Sequence, residues 1–278
     1  MTHILPPVGF TFLPLLAVEA LRWGRGSAPS LYAAACKRLD LDFVFLPASE
    51  PWAKDAIDCV IAAGTAPFWV VSGPFGAVAN RDGWIESLRA TESNPQMIAG
   101  QMDAVMPDLL EQALSGARLG AAAIVIAEDV AGANGPLLAP DFVLRELVPR
   151  AGRLAAIAHS HSVASVFHSD GDVRFALPAL KQQGFSAVHP GGLCHSDFED
   201  FTREAALLDL AVLGGIDGET LRSQDFSPQK ISDRLLALTR CGKVLIADDG
   251  GMTGAEELVN FEIFLHAWRA TQRDEEAK

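Results

Sequence analysis

Short apolar segments alternate with longer amphipathic segments along the chain. Eight of the apolar segments have the length of buried β-strands, and the segments between them repeat apolar residues at the three-to-four-residue spacing of helices. Such alternation is typical of βα units, and eight units in 278 residues predict one domain, a single (β/α)8 barrel over residues 1–278. The predicted strands cover residues 8–13, 43–46, 68–72, 122–127, 164–168, 187–189, 211–214 and 244–247.

Polar and charged residues gather at one end of these predicted strands. In a (β/α)8 barrel the loops that follow the strands form the active site, so reactive residues are expected there. The loops at the opposite end, such as residues 118–120 and 183–185, are chemically plain. We therefore predict an active site at the carboxyl face of the barrel. The residues that follow the strands are Glu50, Ser72, Glu128, Asp129, His168, Asp170, His189, Asp217, Asp248 and Asp249.

Residues 166–174 form the most informative of these strand ends. An apolar strand ends in His168, and Asp170, Gly171 and Arg174 follow it. Gly171 permits a turn that a β-branched residue would not tolerate. A lone strand histidine is commonly a core residue satisfied by the backbone, but the adjacent carboxylate and glycine favour a site role for His168. His189, which ends the next strand, fits a site role and a structural role about equally.

Composition excludes several classes of function. The formal net charge is −13 and the pI is near 4.9, so we expect binding neither to nucleic acid nor to anionic membranes. No apolar run reaches the roughly 18 residues that a transmembrane helix needs, and residues 4–21 lack the basic start of a signal peptide. The four cysteines form no Cys-x-x-Cys pair. A cytoplasmic protein with reduced thiols is expected.

Several strand-end motifs occur together in one order. They are Ser72-Gly73-Pro74, residues 127–129 followed by 139–142, residues 167–174, residues 187–190 and residues 214–217. With these motifs the chain resembles the uroporphyrinogen decarboxylase superfamily, which also contains the cobalamin-dependent methyltransferases. The resemblance implies a barrel of the uroporphyrinogen decarboxylase type, acting on a small-molecule substrate. Because members of this group often pair, it also implies a homodimer.

The decarboxylase branch binds a substrate with many carboxylates through an arginine-rich turn after the first strand, of the pattern RQAGRY. Residues 22–25 of this chain read Arg-Trp-Gly-Arg and match that turn poorly, and the only tyrosine, Tyr32, is displaced from it. Arg174 remains able to bind a carboxylate bidentately. Decarboxylation of a porphyrinogen is therefore the second interpretation of the resemblance.

In the thiol-methylating branch, the resemblance implies a zinc site with a His-x-Cys pair after the fifth strand and a further cysteine after the eighth. In this chain His168-Ser169-Asp170 and Asp248 stand at those places, so both thiols are replaced. Soft sulfur ligands suit thiol activation by zinc, whereas histidine with carboxylates also suits harder metals. The replacement of both thiols thus argues against thiol alkylation. It leaves a divalent metal such as zinc on His168, Asp170 and Asp248, with Glu128 as a further candidate.

The remaining branch passes a methyl group from a small organic donor to the cobalt of a corrinoid protein. No cobalamin-binding domain is recognisable in the sequence, so the corrinoid would arrive on a partner protein docked over the barrel mouth. This chemistry needs a proton for the leaving group, and carboxylates that lie close together can have one raised pKa. The catalytic candidates are His168, Glu128, Asp129 and Asp248. We predict a methyltransferase of this branch.

The substrate-binding candidates are Ser72, Arg174, His189 and Asp217. Asp217 also fits the N-cap of a helix that begins near Gly218, and capping is the favoured interpretation. A third hypothesis is a non-catalytic barrel that only binds a small molecule. Convergence of the acidic residues and histidines on one cavity would favour an enzyme, because a degenerate barrel has no reason to keep like charges packed together.

Overall fold

Eight parallel strands form a barrel in the computed structural model, which describes residues 6–132, 135–193, 195–250 and 252–276. Neighbouring strands pair in chain order, and the first and last meet through a bridge between Val8 and Ile246. The predicted (β/α)8 barrel is confirmed. Cys194 and Gly251 lie outside the described residues. The strands are β1 Gly9–Phe10, β2 Phe43–Pro47, β3 Ala66–Ser72, β4 Ala123–Ala127, the short antiparallel hairpin of β5 Ala131–Gly132 and β6 Gly135–Pro136, then β7 Ala164–Ser169, β8 Ala187–Pro190, β9 Ala211–Ile216 and β10 Val244–Asp248.

The helices cover the outside of the barrel. A π-helical turn, Val143–Leu147, joins α7 to α8, and a 3-10 turn, Arg174–Ala176, precedes α9. Among the described residues, none of the helices is both long and apolar enough to cross a membrane. The helices are α1 Leu15–Ala20, α2 Ala28–Leu39, α3 Ala53–Ala62, α4 Pro74–Asp82, α5 Trp84–Ser93, α6 Pro95–Arg118, α7 Pro140–Phe142, α8 Val148–Ser160, α9 Leu177–Gln182, α10 His195–Leu207, α11 Gly218–Arg222, α12 Pro228–Leu238 and α13 Ala255–Glu276.

Local sequence explains where several helices begin. The Asn94 side chain accepts a hydrogen bond from the N–H of Met97, and a proline occupies the first position of α6. Ser227 caps α12 in the same way, again before a proline. Asp217 accepts the N–H of Thr220 at the start of α11. The prediction that Asp217 is an N-cap is therefore confirmed.

β1 is shorter than the sequence predicted, two residues where residues 8–13 were expected. The backbone N–H of Thr11 donates to the Asp248 carboxylate at 2.6 Å rather than to a neighbouring strand. Pro14 follows and precedes α1. The Asp248 carboxylate, on the last strand, thus takes the place of the inter-strand hydrogen bond at Thr11. This contact connects the start of the barrel to its end.

The barrel interior is filled by side chains from alternate strand positions, as expected for side chains that alternate between the faces of a strand. The rings of Phe43 and Phe68 stack with centroids 4.6 Å apart, so the barrel is packed rather than hollow at this level. The residues of this interior cluster are Phe43, Phe45, Phe68, Val70, Ala123, Val125, Val166, Ala187, Leu213 and Ala247. The intervening strand residues pack against the helices.

Candidate active site

Two carboxylates and an imidazole meet at the carboxyl ends of β4 and β7. Nε2 of His168 lies 3.5 Å from Asp170 Oδ1 and 3.8 Å from Asp129 Oδ1. One ligand atom from each of these three residues lies within 4.8 Å of the other two. Among the described residues, Asp129 Oδ1 is buried and has no hydrogen-bond partner. We call Asp129, His168 and Asp170 the carboxylate–histidine cluster.

The alternation of the strands brings this cluster together. Val166 faces the barrel interior, so His168, two positions later, faces the same way at the mouth. On the neighbouring strand Ala127 packs against the interior cluster, and Asp129 follows it by two positions. The ladder between the two strands continues past β4, because the N–H of Glu128 donates to the carbonyl of His168 at 2.9 Å.

Loop contacts hold the cluster in place. The hydroxyl of Ser169 accepts the N–H groups of Val130 and Ala131 at 3.1 and 3.2 Å, which ties the chain after Asp129 to the end of β7. Gly191 is required nearby, because a Cβ there would lie 2.8 Å from Asp170 Oδ1. Partial burial raises the pKa of Asp170, the nearby His168 lowers it, and the negative charge of Asp129 raises it.

His189 lies behind His168 and is almost completely buried. The two residues are Cα partners in the pairing of β7 with β8, and their rings are tilted by only 24°. Nδ1 of His189 is 2.8 Å from Nδ1 of His168, and its Nε2 is 3.0 Å from the carbonyl oxygen of Asp248. Burial lowers the pKa of His189 to about 3, and the electrostatic interaction with the neighbouring His168 acts in the same direction. His189 thus contacts a cluster residue, although the sequence suggested that it binds substrate.

Glu128, a predicted catalytic residue, points away from the cluster. Its carboxylate accepts the N–H groups of Phe75 at 2.8 Å and Gly76 at 3.1 Å, at the start of α4. Burial raises the pKa of Glu128 to about 8, and these two hydrogen bonds oppose the rise. A Cβ on Gly73 would lie 2.0 Å from Glu128 Cγ, so this carboxylate occupies the space that the glycine leaves. Glu128 joins β4 to α4.

Asp248, predicted as a catalytic residue and as a metal ligand, is also not part of the cluster. It is fully buried, and its carboxylate accepts the N–H and hydroxyl of Thr11 and the N–H of Gly250. Burial raises the pKa of Asp248 to about 6 against the effect of these hydrogen bonds. Because Ala247 faces the barrel interior, the next side chain faces the other way. Asp129 takes the place in the cluster that the sequence suggested for Asp248.

The other substrate-binding candidates have different surroundings. The Arg174 guanidinium pairs with Asp172 and lies 3.7 Å from Glu204, so its charge is already balanced. The carboxylate of Asp217 caps α11 and lies 3.9 Å from Arg234. Ser72 ends β3 as the Cα partner of Ala127, which places it at the same edge of the barrel as the cluster.

Sequence reasoning had not assigned Asp129 to the metal site or His189 to a position behind His168. The alternation of side chains between the two faces of β4 did indicate where Asp129 would point. Ala127 and Asp129 share one face of β4, and Glu128 lies on the other. No comparable signal in the sequence identifies the contact between His168 and His189, because it depends on how two strands align in register.

Comparison with known proteins supports the fold. No family model and no curated protein matches the chain. Among solved structures, a methyltransferase from Methanosarcina mazei is similar with a TM-score of 0.73 at 16% identity, over 96% of this chain and 94% of that one. A xylose isomerase domain protein from Planctomyces limnophilus is similar with a TM-score of 0.58 at 15% identity, over 98% and 99% of the two chains. D-psicose 3-epimerase from Clostridium cellulolyticum H10 gives 0.56 at 12% identity, over 96% and 98%.

At these identities the similarities show the fold alone. The chain is a (β/α)8 barrel with a carboxylate–histidine cluster at its mouth.

Proposed function

We propose that this protein is a metal-dependent methyltransferase that moves a methyl group from a small organic donor to a corrinoid carried by a partner protein. The observation that carries the proposal is the carboxylate–histidine cluster, above all the buried Asp129 Oδ1 for which the described residues provide no hydrogen-bond donor. A buried oxygen without a donor is costly, and a bound cation would satisfy it. The chain also shares its fold with a methyltransferase from Methanosarcina mazei at a TM-score of 0.73, which is compatible with methyl transfer.

The residues of the cluster fit a divalent metal. Ligand atoms around one tetrahedral zinc ion are about 3.4 Å apart, given metal–ligand bonds of roughly 2.1 Å. The observed 3.5 and 3.8 Å from His168 Nε2 to the two carboxylates are close to this separation. One nitrogen and two oxygens suit zinc and also harder metals. Three protein ligands are the usual number in catalytic zinc sites, where a fourth position takes the substrate.

His168 Nε2, Asp129 and Asp170 would hold the metal. When bound, it would act as a Lewis acid on the heteroatom of the donor, the role that a general acid would otherwise fill. A metal in the role of the acid agrees with the orientation of Glu128 and Asp248. Their carboxylates accept backbone N–H groups outside the carboxylate–histidine cluster. The packed interior of the barrel would keep water out from that side, so the donor would approach from the mouth.

In this proposal the corrinoid is carried by a separate protein. A partner docked over the mouth would bring the cobalt to the donor and shield it from water. We also expect two copies of the chain to pair, as in the superfamily that it resembles.

The decisive experiment combines metal analysis with methyl transfer. Protein purified without a nickel column should contain about one divalent ion per chain, and a panel of small methyl donors should methylate cob(I)alamin in a chelator-sensitive way. Asp129→Asn and Asp170→Asn should lose both metal and turnover. Asp172→Asn is the matched control, because that carboxylate pairs with Arg174 outside the cluster.

Two results would contradict the proposal. One is the absence of bound metal together with no turnover across the donor panel. The other is release of carbon dioxide from uroporphyrinogen, which would favour the decarboxylase branch instead. Binding of small molecules without turnover of any of them would favour the non-catalytic barrel.

A further inference from the structure

We propose that His189 is a positioning residue that keeps the proton of His168 on Nδ1, so that the lone pair of His168 Nε2 faces Asp129 and Asp170. This inference rests on the proposed function where it concerns metal binding, whereas the position of the proton can be tested without any metal. His189 touches neither the proposed metal nor the substrate. It acts through His168.

The first step is the direction of the hydrogen bond from His189 to β10. Nε2 of His189 lies 3.0 Å from the backbone oxygen of Asp248, and a carbonyl oxygen can only accept. Nε2 of His189 therefore carries a hydrogen.

The second step is the charge of His189. Its side chain is only 1% exposed and packs edge-on against Phe45, with the ring centroids 5.8 Å apart. The atoms that its ring nitrogens contact are a carbonyl oxygen and another imidazole, so among the described residues no carboxylate contacts the ring nitrogens to offset a positive charge. A neutral imidazole carries one hydrogen, and Nε2 has it. Nδ1 of His189 is then an acceptor.

The third step is the position of the hydrogen on His168. The two Nδ1 atoms are 2.8 Å apart, and because His189 accepts, His168 donates. The backbone oxygen of His189 lies 3.2 Å from the same Nδ1 and is a second acceptor. Both contacts require the hydrogen of His168 on Nδ1. In the neutral ring, Nε2 then has a free lone pair.

The consequence appears on the other side of the His168 ring. Nε2 faces Asp170 Oδ1 at 3.5 Å and Asp129 Oδ1 at 3.8 Å. A lone pair and two carboxylates directed at one point repel each other unless a proton or a metal cation lies between them. A second residue that fixes the tautomer of a metal-binding histidine typically contributes 10–100-fold to metal affinity.

The first test reads the tautomers directly in metal-free wild-type protein. Two-bond 15N–1H correlation spectra at alkaline pH should show His168 with hydrogen on Nδ1 and His189 with hydrogen on Nε2. Loss of the corresponding signals in His168→Gln and His189→Asn assigns them among the seven histidines. Hydrogen on Nε2 of His168, or on Nδ1 of His189, would overturn the inference.

The second test uses two variants of nearly equal size. His189→Asn keeps a side-chain oxygen that can accept from His168 Nδ1, and His189→Leu keeps only the backbone oxygen 3.2 Å away. Both lose the contact to Asp248, so their difference isolates the acceptor. In Co²⁺ titrations with Zn²⁺ competition, the Leu variant should bind about 10–100-fold more weakly than wild type, and the Asn variant should keep most of the affinity. Circular dichroism melting controls for folding.

Equal affinities for the Leu and Asn variants would overturn the role of the acceptor. The two proposals can fail separately. If the wild-type protein has the expected tautomers but binds no metal, the metal-dependent function fails and the positioning role stands. If it binds metal with the opposite tautomers, the positioning role fails and the metal site stands.

Discussion

The strand ends of β7 and β10 both carry an aspartate at the barrel mouth, but the two carboxylates have opposite surroundings. Asp170, beyond β7, has a side chain that is only partly buried, 57% exposed, and faces His168. Asp248, at the end of β10, is enclosed and accepts three hydrogen bonds, two from Thr11 and one from Gly250. Asp170 belongs to the carboxylate–histidine cluster, in which Asp129 Oδ1 has no hydrogen-bond partner among the described residues, whereas Asp248 makes a structural contact that closes the barrel.

The difference shows which property separates a candidate site from a structural contact at a barrel mouth. Both carboxylates follow buried strands, so position along the chain does not distinguish them. Orientation does, because successive side chains alternate between the interior and the helices. The donors then decide the role, since a carboxylate with all its hydrogen bonds made stabilises the fold, and one without them is available to a ligand.

The largest effect is expected at the β7 end. His168→Ala should abolish activity and weaken metal binding by more than about 100-fold, beyond the effect expected of a residue that only supports a ligand. Its melting temperature should stay within a few degrees of wild type, because the ring lies at the mouth rather than in the aromatic interior. Calorimetric melting and metal titration check this. A large loss of stability with metal binding retained would make His168 a structural residue.

A second effect, on stability, is expected at the β10 end. The folded pKa of Asp248 is about 6, above its ordinary value of 3.8, so the folded state binds this proton more tightly than the unfolded chain. The stability from this group is fully present below the unfolded pKa and is lost as pH rises through about 6. The total is roughly 3 kcal/mol.

Urea unfolding of wild type and Asp248→Asn across this range measures the change. The informative quantity is the difference in the free energy of unfolding between wild type and Asp248→Asn. The raised pKa of Glu128 and the lowered pKa of His189 also make stability depend on pH, and they do so in both proteins. The wild-type free energy of unfolding should fall relative to that of the variant between about pH 4 and pH 6. Parallel curves would show that Asp248 titrates normally in the folded protein.

A smaller effect is expected from Thr11→Val, which removes one donor to Asp248 and keeps the shape of the side chain. A hydrogen bond to a charged group contributes about 1.5–3 kcal/mol, so the free energy of unfolding at neutral pH should fall by this amount. Thr65→Val is the matched control, because the buried Thr65 hydroxyl bonds no carboxylate in the described part of the chain. Metal affinity should be unchanged in both variants. Reduced metal affinity in Thr11→Val would contradict the separation of the two regions.

Much of the fold and part of the candidate site could be predicted from the sequence. Short continuous apolar runs located all eight barrel strands, because strands of a parallel sheet are buried on both faces. Residues 166–174 identified His168 and Asp170, because an apolar strand that ends in charged residues must reach the surface. The N-cap role of Asp217 followed from local hydrogen bonding, which needs no distant partner.

Other features depended on tertiary structure. Glu128 and Asp248 accept hydrogen bonds from backbone donors at the start of α4 and just after β1, which are distant in sequence, and no local pattern reveals which donors a buried carboxylate will meet. His189 contacts His168 because two strands align in one register. The sequence by itself thus determined the barrel and which end of it carries the reactive residues. Only the tertiary structure decided which of those residues face each other, because that depends on register and side-chain direction across strands far apart in the chain.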